Sequence, residues 1–222
     1  MCGAYVPLAP LFYLNMVYFF ECALSGVKPM DNLMKSVLRD VVPMFPPRVH
    51  VFYDMCGWNG SVGVDAVRFS DKVVCNVLDE NVAKCIDGIL RGDIVSMDGV
   101  SKRVFGITKQ SLRVMHVCTR PIADGWFCED LKIGDFLFCY PPNVGDGFTV
   151  RDEKGVLGMM SRADSVGAYF GFVVSAGRNG VPRRHIIDWC GMHGYKMVRV
   201  GAISRFSRGK NIDDIVYVTN FK

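Results

Sequence analysis

The chain of 222 residues and 24.8 kDa is long enough for one large domain or two small ones with a hydrophobic core. Half of its residues are hydrophobic and 22% are charged, a balance that excludes an intrinsically disordered chain. The 26 basic and 22 acidic residues give a net charge of +4. This charge is uneven, because residues 178–222 carry nine basic and three acidic side chains while residues 1–177 are slightly acidic.

The first predicted element is a helix that begins at Pro10 and ends near Ser25, just before a glycine. Aromatic side chains cover most of its circumference, and such a helix must be covered by another surface. A helix buried in the hydrophobic core is the favoured interpretation, and a helix that binds another protein subunit is the alternative. The candidate interface residues are Phe12, Tyr13, Tyr18, Phe19 and Phe20. The apolar opening has no basic start and contains prolines and polar residues, so it predicts neither a signal peptide nor a transmembrane span.

A second helix is predicted over about residues 31–42, where apolar residues recur at spacings of three and four. The prolines of residues 43–47 end it and predict a domain boundary. The expected organisation is therefore an N-terminal helical segment, residues 1–47, followed by a β domain, residues 48–222.

The rest of the chain predicts β structure, because short runs rich in Val, Ile and Phe alternate with Gly, Asn and Asp turn signals. These runs lie at residues 49–53, 62–66, 73–78, 94–97, 104–107, 112–118, 136–140, 148–151, 169–175, 196–203 and 215–219. Many short strands at this spacing favour an antiparallel β-sandwich or β-roll. The predicted fold class is thus α+β, mainly β, with two N-terminal helices before an antiparallel β-sandwich or β-roll domain.

A candidate internal duplication supports that prediction. A Val-Cys pair is followed ten residues later by Cys and then by Gly-Asp, first from Val74 and again from Val117. The correspondence predicts two repeat units, residues 72–110 and 115–177, that stack as β-modules. Chance similarity is the alternative, since there are only two copies.

Residues 130–177 contain the segments L-K-I-G-D-F-L-F, G-F-T-V-R-D and R-A-D-S-V-G-A-Y-F-G-F-V-V-S-A-G. This stretch resembles the β-modules of phage tail fibres and virion structural proteins, and residues 73–107 resemble a second copy. The resemblance implies a viral structural protein without enzymatic activity, such as a minor capsid or cementing component. It also implies coat proteins as partners, an oligomer or larger assembly, and a location in the virion after assembly in the host cytoplasm.

The nine cysteines predict a reducing compartment, because their number is odd and no C-x-x-C motif occurs. His185, Cys190 and His193 are close enough in sequence to contribute to a metal site. A buried thiol and hydrogen-bonded histidines are the favoured interpretation, since this spacing fits no known zinc motif. We accordingly predict no metal and no cofactor.

An enzyme is an alternative hypothesis that rests on the N-terminal Met1-Cys2-Gly3. This start resembles that of class II glutamine amidotransferases, in which the exposed α-amino group of Cys2 would act as base for its own thiol. The other motifs of that family are missing, and no nucleotide-binding glycine motif of the G-x-G-x-x-G type occurs. No catalytic residue is therefore assigned.

A nucleic-acid-binding module is the other alternative, based on the basic residues 178–210. Clustered Lys and Arg side chains contact phosphates, and interleaved aromatic side chains stack on unpaired bases. The predicted sites for nucleic acid or an acidic protein surface are Arg183, Arg184, Arg199, Arg205, Arg208 and Lys210.

Overall fold

A computed structural model describes residues 32–58, 60–77, 79–91, 114–122, 127–141, 150–175, 181–206 and 210–222. The helices in these ranges are α1 (Asn32–Val41), α2 (Ser61–Ala66), α3 (Glu80–Arg91), α4 (Phe127–Asp130), α5 (Val150–Val166) and α6 (Val181–Met192). The strands are β1 (Val49–Asp54), β2 (Ser70–Asn76), β3 (Met115–Cys118), β4 (Phe136–Cys139), β5 (Tyr169–Ser175), β6 (Lys196–Phe206) and β7 (Lys210–Thr219).

The strands form one seven-stranded sheet in the order β3-β2-β1-β4-β5-β7-β6. The first five strands of this order are parallel, whereas β7 runs antiparallel between β5 and β6. From β1 the chain proceeds outward to β2 and β3, and then returns to place β4 on the other side of β1. The strand order therefore reverses between β1 and β4, which is where open α/β sheets leave a crevice at the carboxyl ends of their strands.

Helices cover both faces of the sheet and create two hydrophobic cores. On one face, α1, α2 and α3 pack with residues such as Leu38 and Ile86 against Phe52 and Phe136 of the sheet. On the other face, α5 and α6 bury Met159 and Ile186, among others, against a second set of strand residues. The whole of β4 is buried, as expected for a parallel strand with helices on both faces.

The predicted antiparallel sandwich or roll is wrong, because the sheet is mostly parallel and single-layered between helices. Residues 62–66 form helix α2 instead of a strand. Its three apolar residues Val62, Val64 and Ala66 alternate in sequence, but all three are buried within one short helix. The strand predicted at residues 148–151 overlaps the start of α5, whose buried Val156, Met159, Met160 and Ala163 have helical spacing.

The resemblance to phage and virion β-modules is also wrong. Such a module requires strands across residues 130–177, yet the long helix α5 occupies the middle of that segment. The predicted duplication into two β-modules is wrong for the same reason. The similarity between Val74 and Val117 instead marks two neighbouring parallel strands, β2 and β3, where Cys75 pairs with Val117.

Several local predictions are confirmed. The helix predicted at residues 31–42 is α1, and seven of the predicted strand runs coincide with β1 to β7. The helix predicted from residue 10 to 25 and the strands at 94–97 and 104–107 lie outside the described residues. The division of the chain at residue 47 stays a prediction. Among the described helices, none has the length and apolar character needed to cross a membrane.

Candidate functional site

The candidate site lies at the carboxyl ends of β1, β2, β3 and β4, next to the reversal in strand order. Strand β1 ends in Asp54, and the chain then passes through Cys56, Gly57 and Gly60 before α2 begins at Ser61. We call residues 55–60 the β1 loop. Met55 is tied to the neighbouring strand, because its amide donates a hydrogen bond to the carbonyl of Phe138 at 2.9 Å.

Two glycines give the β1 loop its shape. A Cβ at Gly57 would overlap the Sγ of Cys75, so a larger residue fits only if the Cys75 side chain moves. The Gly57 amide donates to the Asn76 carbonyl at 2.7 Å, which holds the loop against the end of β2. Gly60 has a φ of +82°, a left-handed conformation that glycine adopts without strain. The two glycines therefore let the loop pack closely against β2 and α3.

Asp54 is a buried carboxyl group at the base of this loop. Its side chain is 1% exposed, and burial raises its pKa to about 7 despite hydrogen bonds from the Cys56 backbone and the Cys75 thiol, which act in the opposite direction. The Oδ1 atom of Asp54 has no hydrogen-bond partner within the described part of the chain. Because a buried acceptor without a partner costs free energy, Asp54 is suited to pair with a donor or cation supplied by a ligand.

Asn76 joins the ends of three strands. Its Nδ2 donates to the carbonyls of Met55 at 3.1 Å and Arg120 at 2.9 Å, and its Oδ1 accepts from the Arg120 amide at 2.9 Å. It also lies nineteen residues after Gly57, where dinucleotide-binding folds place an acidic residue that contacts a ribose hydroxyl. Since the side-chain amide of Asn76 is hydrogen-bonded to other residues of the protein, Asn76 stabilises the ends of these strands and is not positioned to bind a ligand.

Acidic side chains follow a few residues later, at the start of α3. Asp79 accepts hydrogen bonds through Oδ1 from the amides of Asn81 at 2.8 Å and Val82 at 3.2 Å, and thereby caps the helix. Glu80 is exposed, with its carboxylate 3.8 Å from the Lys84 ammonium. These two carboxylates are the described acidic groups nearest in sequence to the end of β2, where they could accept hydrogen bonds from ligand hydroxyls.

The opposite rim of the site comes from β4. The Trp58 Nε1 donates to the Tyr140 carbonyl at 2.9 Å, which connects the β1 loop to the residues that follow β4. Trp58 has a φ of 42° and an exposed fraction of 39%, both unusual for a tryptophan. Beneath this rim, the Sγ atoms of Cys56 and Cys139 are in contact at 3.4 Å.

The residues predicted to bind polyanions lie on several different elements. Arg183 and Arg184 lie in the first turn of α6, and Arg205 and Lys210 lie at the far ends of β6 and β7. Arg199 forms an ion pair with Asp214 at 2.8 Å farther down the same hairpin. Arg208, Cys2 and the five aromatic residues of the predicted N-terminal interface lie outside the described residues. These assignments stay predictions.

The three residues considered as metal ligands lie on or next to α6. Cys190 is fully buried, and burial raises its pKa to about 12. The Nδ1 of His193 lies 2.8 Å from the carbonyl of Trp189, and its ring packs between Trp189 and Tyr195. Among the described residues, no group of three or more His, Cys, Asp or Glu side chains is arranged to hold a metal ion.

The residues predicted from the sequence do not include this site, although the sequence carries a signal for it. A buried strand that ends in Asp54 is followed by glycines at positions 57, 60 and 63 and then by apolar residues. A strand, a glycine-containing turn and a helix in this order are typical of nucleotide-binding α/β folds. The spacing differs from G-x-G-x-x-G, which is why a search for that motif does not find it.

The architecture is shared with known proteins, although no protein-family model matches the chain and no curated protein sequence is significantly similar to it. A precorrin-6Y C5,15-methyltransferase from Geobacter metallireducens is 10% identical, with a TM-score of 0.51 over 88% of this chain and 95% of the other. A candidate RNA methyltransferase from Pyrococcus horikoshii is 14% identical, with a TM-score of 0.52 over 93% and 96%. The chain therefore has the Rossmann-like α/β fold of these methyltransferases.

This similarity overturns the functional prediction. The viral structural role, the absence of enzymatic activity and the location in a virion all depended on β-modules, whereas the described strands form one mostly parallel sheet. The alternatives, a non-enzymatic nucleic-acid-binding module and a Cys2-dependent enzyme of amidotransferase type, do not account for a fold that extends over nearly the full length of methyltransferase structures.

Proposed function

We propose that this protein is a methyltransferase that binds S-adenosylmethionine at the carboxyl ends of β1, β2 and β4. The observation that carries the proposal is the combination of buried Asp54 with the glycine-containing β1 loop at the reversal of strand order. S-adenosylmethionine supplies an electrophilic methyl group on a positively charged sulfur.

The residues present fit the charge of that cofactor. Its methionine end carries an ammonium and a sulfonium, and Asp54 offers a carboxyl oxygen that no described residue of the protein engages. A cation next to Asp54 favours the ionised carboxylate and opposes the effect of burial on its pKa. The close packing of Gly57 on Cys75 holds the β1 loop against β2, so that Asp54 and the loop would contact the cofactor from the same side.

The ribose end of the cofactor fits a different set of residues from the one that dinucleotide-binding folds use. Asn76 occupies the expected position but is committed to Met55 and Arg120. Asp79 and Glu80, at the beginning of α3, would therefore accept hydrogen bonds from the ribose hydroxyls. The ribose contact would then lie three or four residues after Asn76, the position that dinucleotide-binding folds use.

The methyl acceptor would approach over the rim formed by Trp58 and Tyr140. The hydrogen bond between them holds the β1 loop and the residues after β4 at a fixed separation. The ring of Trp58 would shield the bound cofactor from water and limit the directions from which an acceptor can reach it. The chain thus contributes to methyl transfer by binding and orienting the two reactants.

Isothermal titration calorimetry with S-adenosylmethionine and S-adenosylhomocysteine tests the proposal. We expect both to bind to the full chain, and we expect Asp54→Asn to weaken S-adenosylmethionine binding by about tenfold or more, the usual effect of losing a hydrogen bond to a charged group. Asp65→Asn is the matched control. Asp65 is also buried, its pKa is also raised to about 7, and it lies in α2, one residue from the end of that helix.

Equal affinity of the wild type and the two variants would contradict the assignment of Asp54. No binding of either ligand to the folded wild-type protein at millimolar concentration would contradict the proposed function itself. Urea unfolding of each variant shows whether a loss of binding reflects a loss of folding.

A further inference from the structure

Strands β6 and β7 extend well beyond the rest of the sheet. The last residue of β5, Ser175, pairs with Ile215, and the hairpin continues from there with Asp214 to Lys210 on β7. Five residues of extended chain span about 16 Å. We call residues Ala202–Phe206 and Lys210–Asp214 the arm.

The arm projects from the same edge of the sheet as the candidate site. Strand β5 runs parallel to β1 and β4, so its end at Ser175 lies on the carboxyl side. Because β7 is antiparallel to β5, its first residue Lys210 lies on that side, as does Phe206 at the end of β6. The other end of the hairpin, with Lys196 and Thr219, lies at the amino edge.

The base of the arm contains a bulge. The register between β6 and β7 shifts between Arg199 and Gly201, where one extra residue is inserted in β6. Bulges increase the local twist of a strand pair and bend it. The arm therefore begins directly after this bulge, next to the Arg199–Asp214 ion pair.

The sequence at the end of the β6–β7 hairpin is basic. Residues 204–211 read S-R-F-S-R-G-K-N and contain three basic residues, one aromatic residue and no acidic residue. In the described strands, Arg205 pairs with Asn211 and Phe206 pairs with Lys210. The acidic residues of the hairpin, Asp213 and Asp214, lie closer to its base, where Asp214 is already paired with Arg199.

The first turn of α6 adds basic residues at the same edge. Helix α6 follows β5 and contacts both β6 and β7, and it begins at the carboxyl side of the sheet with Arg183 and Arg184 in its first turn. The neighbouring helix α5 also begins at this edge and carries the exposed Arg151 and Lys154. The same stretch of α5 also carries Asp152 and Glu153, so its charges balance, and the buried Glu153 lies 3.7 Å from the His185 side chain.

We propose, on the basis of the function proposed above, that the arm and the first turn of α6 hold single-stranded nucleic acid, which is the methyl acceptor. The basic residues would contact phosphates along the strand. Unpaired bases would stack on the exposed ring of Trp58 on the rim of the site, and the sequence places a second aromatic residue, Phe206, in the arm. A folded acidic protein would complement the positive charge, but it has no unpaired bases that could stack on these two rings.

Fluorescence anisotropy with labelled oligonucleotides of about 20 nucleotides tests the proposal without any cofactor present. RNA and DNA of the same sequence distinguish the two sources of a single strand. The test variant is R205Q/K210Q, which removes two positive charges from the arm. The matched control is K196Q/K222Q, which removes two exposed positive charges from the opposite end of the hairpin and the adjoining terminus.

We expect R205Q/K210Q to weaken oligonucleotide binding by about fivefold or more and to lower the slope of log affinity against log salt by about 1.4, the value for two lost phosphate contacts on a single strand. The control should keep the wild-type affinity and slope. S-adenosylmethionine binding, measured separately by calorimetry, should be the same in both variants, so failure of this inference is distinguishable from failure of the proposed function.

Equal losses of affinity in the two variants, or none in either, would overturn the inference. Displacement of the oligonucleotide by polyglutamate at the same charge concentration would also overturn it, because the surface would then recognise charge alone.

Discussion

The indole Nε1 of Trp58 donates a hydrogen bond to the carbonyl oxygen of Tyr140 at 2.9 Å, and this bond crosses the point where the strand order reverses. Trp58 belongs to the β1 loop and Tyr140 follows β4, so the bond joins the two segments that border the candidate site. It gives an exposed aromatic side chain a fixed position at the edge of the site.

Trp58→Phe removes this hydrogen bond and keeps most of the aromatic ring. We expect S-adenosylmethionine to bind about two- to tenfold more weakly, the cost of one neutral hydrogen bond, with little change in the free energy of unfolding because Trp58 is exposed. Calorimetry and urea unfolding measure the two effects. Trp189→Phe, on α6 in the second core, is the control, and an equal loss of affinity in that variant would refute the role of Trp58.

Asn76→Ala removes the hydrogen bonds that connect the ends of β1, β2 and β3. Asn76 is fully buried, so its backbone partners would lose hydrogen bonds in a site that water does not reach readily. We expect the free energy of unfolding in urea to fall by about 2–4 kcal/mol. Asn81→Ala, at an exposed position in the first turn of α3, should change it by less than about 0.5 kcal/mol. A change of less than about 0.5 kcal/mol in Asn76→Ala would show that these hydrogen bonds do not form in the native protein.

The buried carboxyl groups make stability depend on pH. The pKa of Asp54 is raised from 3.8 to about 7 by burial, so the native state keeps a proton that the unfolded chain has released. Between these two pKa values the native state binds more protons, and the free energy of unfolding therefore falls as the pH rises from about 4 to about 7. The contribution is complete below the unfolded pKa and is lost above the folded one.

Asp54→Asn should remove this contribution. Urea unfolding of the wild type and the variant at several pH values gives the difference between them, in which other titrating groups cancel. We expect the difference to change by up to about 1.4 kcal/mol per pH unit below pH 7 and to be constant above it. A difference independent of pH from 4 to 7 would mean that Asp54 has an ordinary pKa in the native protein.

Two glycines provide a test of the packing. A Cβ at Gly171 in β5 would overlap the Tyr217 hydroxyl and lie 2.9 Å from the Phe136 ring, so Gly171→Ala should destabilise the protein by about 1–3 kcal/mol. A Cβ at Gly158 in α5 meets nothing within 4 Å, and Gly158→Ala should stabilise the protein by about 0.5–1 kcal/mol through helix propensity. Urea unfolding of both variants decides, and the same sign in both would contradict the described packing.

The sequence predicted strands better than it predicted how they pair. Strand β5 was located to the residue, because Tyr169–Ser175 is apolar and bounded by turn signals. The alternation of Val62, Val64 and Ala66 satisfied the strand pattern equally well in a helix of six residues, where almost every position is buried. Short apolar runs do not separate a buried strand from a buried helix.

The wrong fold class followed from missing the helices between strands. The apolar residues Val82, Ala83 and Ile86 of α3 and Val156, Met159 and Met160 of α5 have helical spacing, but Lys, Asp and Gly residues interrupt them. Once these helices are recognised, strands alternate with helices and a parallel sheet follows. The contacts of Asn76 could not be foreseen, because they join residues 21 and 44 positions away in sequence.

The most direct test of the account is a crystal structure of the protein with S-adenosylhomocysteine. We predict electron density for the ligand over the β1 loop, with its amino group within hydrogen-bonding distance of Asp54 and its ribose hydroxyls near Asp79 or Glu80. Density at another place in the fold, or none in crystals grown with millimolar ligand, would contradict the central claim that the carboxyl ends of β1 and β2 form a cofactor site.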